Sequence, residues 1–228
     1  ISIRLVGSEM CIRDSDRPIL FRAAMSDMVV PYGSADPMHS WKAVHDGTEY
    51  GFGRLSNSLT LGCDCLGEIH YFNSSGISFD GSVEVIENAI CLHEEDYGIQ
   101  WKHNDGMGAP NEVRRSRRLV ISSISTIGNY DYGLFWYLYL DGTIEAEVKL
   151  TGIVGISAYN EDKHNPNQDL RISKELVSPV HQHLFCMRLD WNLDGGNNQL
   201  FESEIELMPD DDNNPYGMQF QSVSTHLK

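Results

Sequence analysis

Residues 134–150 constrain the fold of this chain more than any other stretch. They hold two β-prone runs, LFWYLYL at 134–140 and TIEAEVKL at 143–150, separated by Asp141-Gly142. In the second run Ile144, Ala146, Val148 and Leu150 alternate with Glu145, Glu147 and Lys149. Successive side chains of an extended chain point to opposite faces, so the alternation predicts an antiparallel strand with one buried and one solvated face. Asp-Gly is a dipeptide of tight hairpins, because glycine takes positive φ without a Cβ clash, and a two-residue turn is expected.

The same signals recur along the chain. Strand character is read at 16–30, at 59–72, around Tyr97-Ile99-Trp101, and at 119–127, 180–192 and 200–207. Between them, 73–81, 160–178 and 209–215 are rich in Ser, Gly, Asn, Asp and Pro and read as exposed loops. No segment sustains a helical period, and no repeat of fixed length is evident. The expected fold is all-β, an antiparallel β-sandwich.

At 228 residues the chain is long enough for one large β domain with a sizeable core. Asp and Glu number 33 against 17 Lys and Arg, a net charge of −16. That balance disfavours nucleic acid and anionic membranes and favours cationic partners, such as a protonated amine. No apolar run approaches the ~20 residues of a membrane-spanning helix. Residues 1–15 resemble translated sequencing-adapter read-through and are read as non-native, which sets Cys11 aside. Cys63, Cys65, Cys91 and Cys186 are too few for a disulfide scaffold, and Cys63-x-Cys65 lacks the second close pair of a zinc site.

Four places could carry chemistry. Residues 125–133 (STIGNYDYG) lie between two apolar runs, so Tyr130 falls where one strand ends and the next begins; on composition alone this is a Gly128-Asn129 turn. His181-x-His183, read as lying within a strand, would place both imidazoles on one face, a spacing that can chelate a metal or can be an ordinary polar pair. Asp46-Gly47 is either a turn or a carboxylate with a task. Asp190 to Asp194 opens like an EF-hand loop, but position twelve is Phe201 and the flanks are strands, which argues against one.

Thr126-x-x-Asn129-Tyr130-Asp131-Tyr132 resembles the cofactor motif of copper amine oxidases. Residues 61–69 (LGCDCLGEI), 93–98 (HEEDYG), 114–118 (RRSRR), 141–144 (DGTI) and 181–183 (HQH) resemble further segments of that family, in family order, and together span 17–195. The resemblance implies a large β-sandwich catalytic domain, of which 16–228 would be the N-terminal part, the chain being truncated at both ends. It implies that Tyr130 is the precursor of topaquinone, that Asp46 is the catalytic base, and that Tyr32 and Asn129 hold and orient the quinone ring. His181 and His183 would be two of three copper ligands; His226 lies near the end, but its surroundings do not resemble the family segment that supplies the third. His39, His45, His70, His93, His103 and His164 are read as ordinary.

Further implications are a Cys65–Cys91 disulfide and half of a peripheral calcium site at Asp190, the Trp191 carbonyl and Asn192. The disulfide would favour an oxidising compartment, extracellular or periplasmic. The implied reaction takes a primary amine and O₂ to aldehyde, ammonia and hydrogen peroxide, in a homodimer. Two features depart from the family: Val44 stands where an aromatic gate is frequent, and Gly47 follows Asp46 directly instead of one residue later. Two rival readings are a cupin-like non-haem iron oxygenase on His181 and His183, which needs a third His and a Glu nearby, and a non-catalytic binding β-sandwich, which would leave Asp46 and Tyr130 apart or exposed.

Overall fold

A computed structural model of the chain describes residues 19–34, 37, 40–106, 108 and 111–227. The expectations for residues 1–15 and for His39 concern positions outside these. In chain order the strands are β1 (Leu20–Pro31), β2 (Ala43–His45), β3 (Ile69–Ile77), β4 (Val83–His103), β5 (Glu112–Ile127), β6 (Tyr130–Tyr139) and β7 (Ile144–Gly152). They continue as β8 (Ser157–Ala158), β9 (Asp169–Arg171), β10 (Leu176–Pro179), β11 (Leu184–Trp191), β12 (Leu200–Leu207) and β13 (Phe220–Leu227). One turn of 3₁₀-helix, Phe52–Leu55, drives Phe52 into the core. The described chain is thus all-β and antiparallel, as expected, and it contains no helix long and apolar enough to cross a membrane.

β3 to β7 form a five-stranded meander. Its register between β4 and β5 is pinned by charge: the arginine run of β5 faces the acidic run of β4, with Arg115 on Asp96, Arg117 on Glu94 and Arg118 on Glu95. A second sheet has the order β11-β1-β2, a third β8-β10-β9, and β12-β13 is a separate hairpin. The first two sheets meet across a cluster of Met28, Val30, Phe52, Ile127 and Tyr132, against which Tyr32, Tyr130 and Phe185 pack. A second cluster joins Leu59, Cys65 and Cys91 beneath β3 and β5.

Several expectations are corrected in detail. The β6–β7 connection is not a two-residue turn: Gly142 N donates to Tyr139 O and Tyr139 N to Thr143 O, with Gly142 at φ 87°. This is a three-residue loop in which glycine takes the left-handed bulge position, the other use of Asp-Gly in hairpins. β7 is less buried than its alternation predicts, since Ala146 and Leu150 are exposed. Residues 73–77 belong to β3, where Asn73 Oδ1 accepts from Asn88 N. Residues 59–68 are irregular and not strand. The polar stretch 160–178 contains β9 and most of β10, with Val177 and Ser178 buried. In 209–215, Asn214 is only 2% exposed: its Nδ2 donates to the carbonyls of Met208 and Pro209, and its Oδ1 accepts from Met218 N and Gln219 N.

Candidate active site

The site is built around the end of β5. Ile127 and Tyr130 face each other across Gly128-Asn129, with Gly128 at φ 62°, so glycine occupies the first corner of a two-residue turn. Thr126 Oγ1 donates to Asp131 Oδ1 at 2.6 Å and accepts from Asn57 Nδ2 at 3.0 Å, which ties the two strand ends together. The segment after β7 clamps the turn from the other side. Ile153 N donates to Asn129 O, and Asn129 Nδ2 returns a bond to Ile153 O, both at 2.7 Å. Gly152 allows this approach because a Cβ there would lie 2.5 Å from Asn129 O and 2.7 Å from Tyr130 Cα. Asn129 therefore acts on the backbone around Tyr130, and its turn chemistry and its site position coincide.

Tyr130 points into the space so framed. Its hydroxyl accepts from Gly155 N at 3.3 Å and shares a hydrogen bond with the hydroxyl of Tyr32. Burial, and then the neighbouring Tyr130 oxygen, push the Tyr32 hydroxyl up to about 12. Tyr32 stands just beyond β1, bridged to His181, and the two rings stack at 4.8 Å between centres.

His181 and His183 precede β11 and do not lie within a strand, although His181 forms an isolated bridge. Extended backbone still puts them on one side, with ring centres 5.1 Å apart, and Tyr130 lies 5.5 Å from one ring and 5.6 Å from the other. His181 Nδ1 donates to Pro179 O at 2.9 Å, which leaves Nε2 free to bind a metal. His183 Nδ1 shares a 3.1 Å bond with the hydroxyl of Tyr132, again leaving Nε2. Burial, and then His181, hold His183 below the usual imidazole range, which favours the neutral form that ligates. Two oriented imidazoles fit copper as part of its ligand set. Among the described residues no group of three or more His, Cys, Asp or Glu gathers to hold a metal.

Asp46 follows β2, its N–H bonded to Met28 O, and it is 4% exposed. Burial first, and then the charges of Glu49 and Asp27, raise its carboxyl to about 6. Asp46, Tyr32, Asn129 and Tyr130 line one cavity of about 260 Å³, whose remaining wall includes Trp41, Lys42, Val44 and Tyr50. A carboxylate of this kind, facing a tyrosine across a small cavity, is placed to accept a proton from a bound molecule. Gly47 also has its reason here: a Cβ would meet Asp27 Oδ1 at 2.7 Å and Asp27 Cα at 2.9 Å, so only glycine lets this turn lie against β1.

Both rival readings lose ground. No third His and Glu join His181 and His183 among the described residues, and Asp46 and Tyr130 share one cavity instead of lying apart. Cys65 and Cys91 stand together, buried, as thiols in hydrogen-bond contact. Asp190 and Trp191 end β11, where Asp190 lies 3.8 Å from Arg188 and the Trp191 carbonyl accepts from Asn198 Nδ2. Asn192 N bonds to Ile19 O. Sequence reasoning overlooked Tyr132 as the partner of His183; its position two residues after Tyr130 on a strand, hence on the same face, was the available signal.

A family model described as "Copper amine oxidase, enzyme domain" matches residues 7–228. The chain is 48% identical over 215 residues to the histamine oxidase of Arthrobacter globiformis, covering 92% of this chain and 31% of that protein. It is 46% identical over 213 residues to the primary amine oxidase of Arthrobacter sp. (strain P1), covering 93% and 32% respectively. A crystal structure of a copper-containing benzylamine oxidase from Hansenula polymorpha matches with a TM-score of 0.84 at 32% identity, over 92% of this chain and 33% of the other. The chain therefore spans about a third of the length of these relatives.

Proposed function

Because the chain belongs to the copper amine oxidase family, we propose that within its full-length protein it oxidatively deaminates primary amines to aldehyde, ammonia and hydrogen peroxide. The observation that carries this reading is convergence. Asp46, Tyr130 and the His181/His183 pair come from three separate segments and meet around one small cavity and its wall. Residues 16–228 are assigned to the N-terminal part of the catalytic domain.

Copper held through His181 and His183, and a quinone made from Tyr130, would supply the electron-accepting chemistry. The chain's own residues do the rest. Trp41 and Tyr50 offer apolar walls to the body of an amine. Asp46, held near 6, is ionised at neutral pH and takes the proton from the carbon next to nitrogen. Tyr32 fixes the oxygen of Tyr130 by a hydrogen bond, and Gly155 N adds a second. A homodimer belongs to the same proposal, supported by the separate β12-β13 hairpin, which leaves Ile205, Leu207 and Phe220 exposed at 74%, 78% and 64%.

Tyr130→Phe in the full-length protein tests the reading. It should fold and keep its copper, since the hydroxyl is not among the ligands, while peroxide release from a primary amine falls to background. Retained turnover in this variant would overturn the assignment.

A further inference from the structure

We propose that Lys42 sets the amine preference of the Asp46–Tyr130 cavity, excluding α,ω-diamines and admitting amines whose far end carries no positive charge. The proposal rests on the reading above that amines are oxidised at this cavity. Its physical basis is the β1–β2 ladder. Val30 pairs with Val44 and Pro31 with Ala43, and Tyr32 N donates to Lys42 O at 3.1 Å, so Lys42 lies directly opposite Tyr32. Side chains alternate along an extended chain, and Lys42, Val44 and Asp46 therefore share a face.

The side chain follows the backbone. Lys42 Nζ stands 5.3 Å from the centre of the Tyr32 ring, whose hydroxyl is bonded to Tyr130. Lys42 lines the Asp46 cavity, and with Tyr32, Asn129 and Tyr130 it also lines the neighbouring opening under Ile153 and Pro179. A positive group thus accompanies Tyr130 on both sides.

Depth orders the cavity. Asp46 is buried at its floor, Val44 and Lys42 are half-buried, and Trp41 and Tyr50 are 71% and 57% exposed at its mouth. An amine presenting its nitrogen to Tyr130 and Asp46 runs its tail past Val44 towards Lys42 and Trp41. An alkyl or aryl tail gains contact with the indole and the lysine stem. A second ammonium instead meets Nζ, and like charges this close in a partly desolvated cleft oppose binding. The nearby acids do not cancel this effect: Asp27 is held by His45 Nδ1, and Glu49 accepts from His45 N, both beside the floor.

The test uses the full-length, copper-loaded enzyme with hexylamine and 1,6-diaminohexane. The native enzyme should prefer the monoamine, Lys42→Arg should keep that preference, and Lys42→Met should raise the diamine-to-monoamine ratio of kcat/KM on the order of tenfold. An unchanged ratio in Lys42→Met overturns the proposal. Calorimetric binding of the two amines to full-length Tyr130→Phe, with and without Lys42→Met, reads the same contrast without chemistry. Diamine binding that tightens when Lys42 is removed supports the proposal even if no amine is oxidised, in which case only the proposed reaction fails. Relative affinities indifferent to Lys42 overturn it.

Discussion

Asp46 combines a task and a cost in one side chain. Its carboxyl is raised from 3.8 to about 6 by burial and by its acidic neighbours, so the folded chain binds this proton more tightly than the unfolded one. The stability it contributes is full below about 4 and is lost as pH rises through about 6. As a base the same group works only when ionised, so proton abstraction should rise across the window in which stability falls. Asp46→Asn in the full-length enzyme should flatten both dependences and slow anaerobic substrate reduction of the cofactor by ~10²-fold or more. Stopped-flow absorbance reads the rate, and denaturation at pH 4.5 and 7 reads the stability. A wild-type rate in the variant would return Asp46 to a turn residue. Nothing in the dipeptide Asp46-Gly47 foretells this shift, because it arises first from burial and then from the charges of Glu49 and Asp27, the latter on the strand with which β2 pairs.

Among the elements, the β5–β6 turn and the end of β7 act as one unit. Gly152, at φ 108°, leaves no room for a side chain against Asn129 O, whereas a Cβ on Gly128 would meet nothing within 4 Å. Gly152→Ala should therefore destabilise the protein by about 1–3 kcal/mol or more and displace Tyr130, while Gly128→Asn, a residue that tolerates positive φ, should cost far less. Thermal unfolding with a count of quinone per chain checks both. The turn itself was legible in the sequence, since Gly128-Asn129 between a β-branched run and an aromatic one has few other uses. The clamp from Ile153 was not, because it joins positions 24 apart through a backbone carbonyl that no pattern marks. The histidine pair shows the same limit. Alternation foretold that His181 and His183 share a side, but not that the segment escapes the ladder of β11, which depends on a partner strand. Likewise β9 and β10 form in a stretch whose asparagines read as loop, and Val177 supplies the burial that holds them.

For the molecule as a whole, two buried clusters stabilise the described chain, and the second is completed by sulfur. Cys65 and Cys91 meet there, and we propose that they form a disulfide in an oxidising compartment. Closing that loop should contribute about 3 kcal/mol, so Cys65→Ser/Cys91→Ser should lower the denaturation midpoint. A peptide digest under non-reducing conditions should contain the linked pair; two free thiols in protein from an oxidising host would sink the assignment. The all-β class was legible because alternation and turn residues are local, whereas the layering of the sheets depends on Met28 and Tyr132 finding each other across about a hundred residues. The close fit of Gly47 against β1 bears finally on how this protein ages. In an Asp-Gly sequence the unhindered glycine nitrogen readily attacks the preceding carboxyl, closing a succinimide that reopens largely as isoaspartate. Here Asp46 N is bonded to Met28 O, and Gly47 lies so near Asp27 that even a methyl group would not fit. That packing denies the backbone the rotation ring closure needs, so this one of the chain's five Asp-Gly dipeptides is protected for as long as the first strand stays in place.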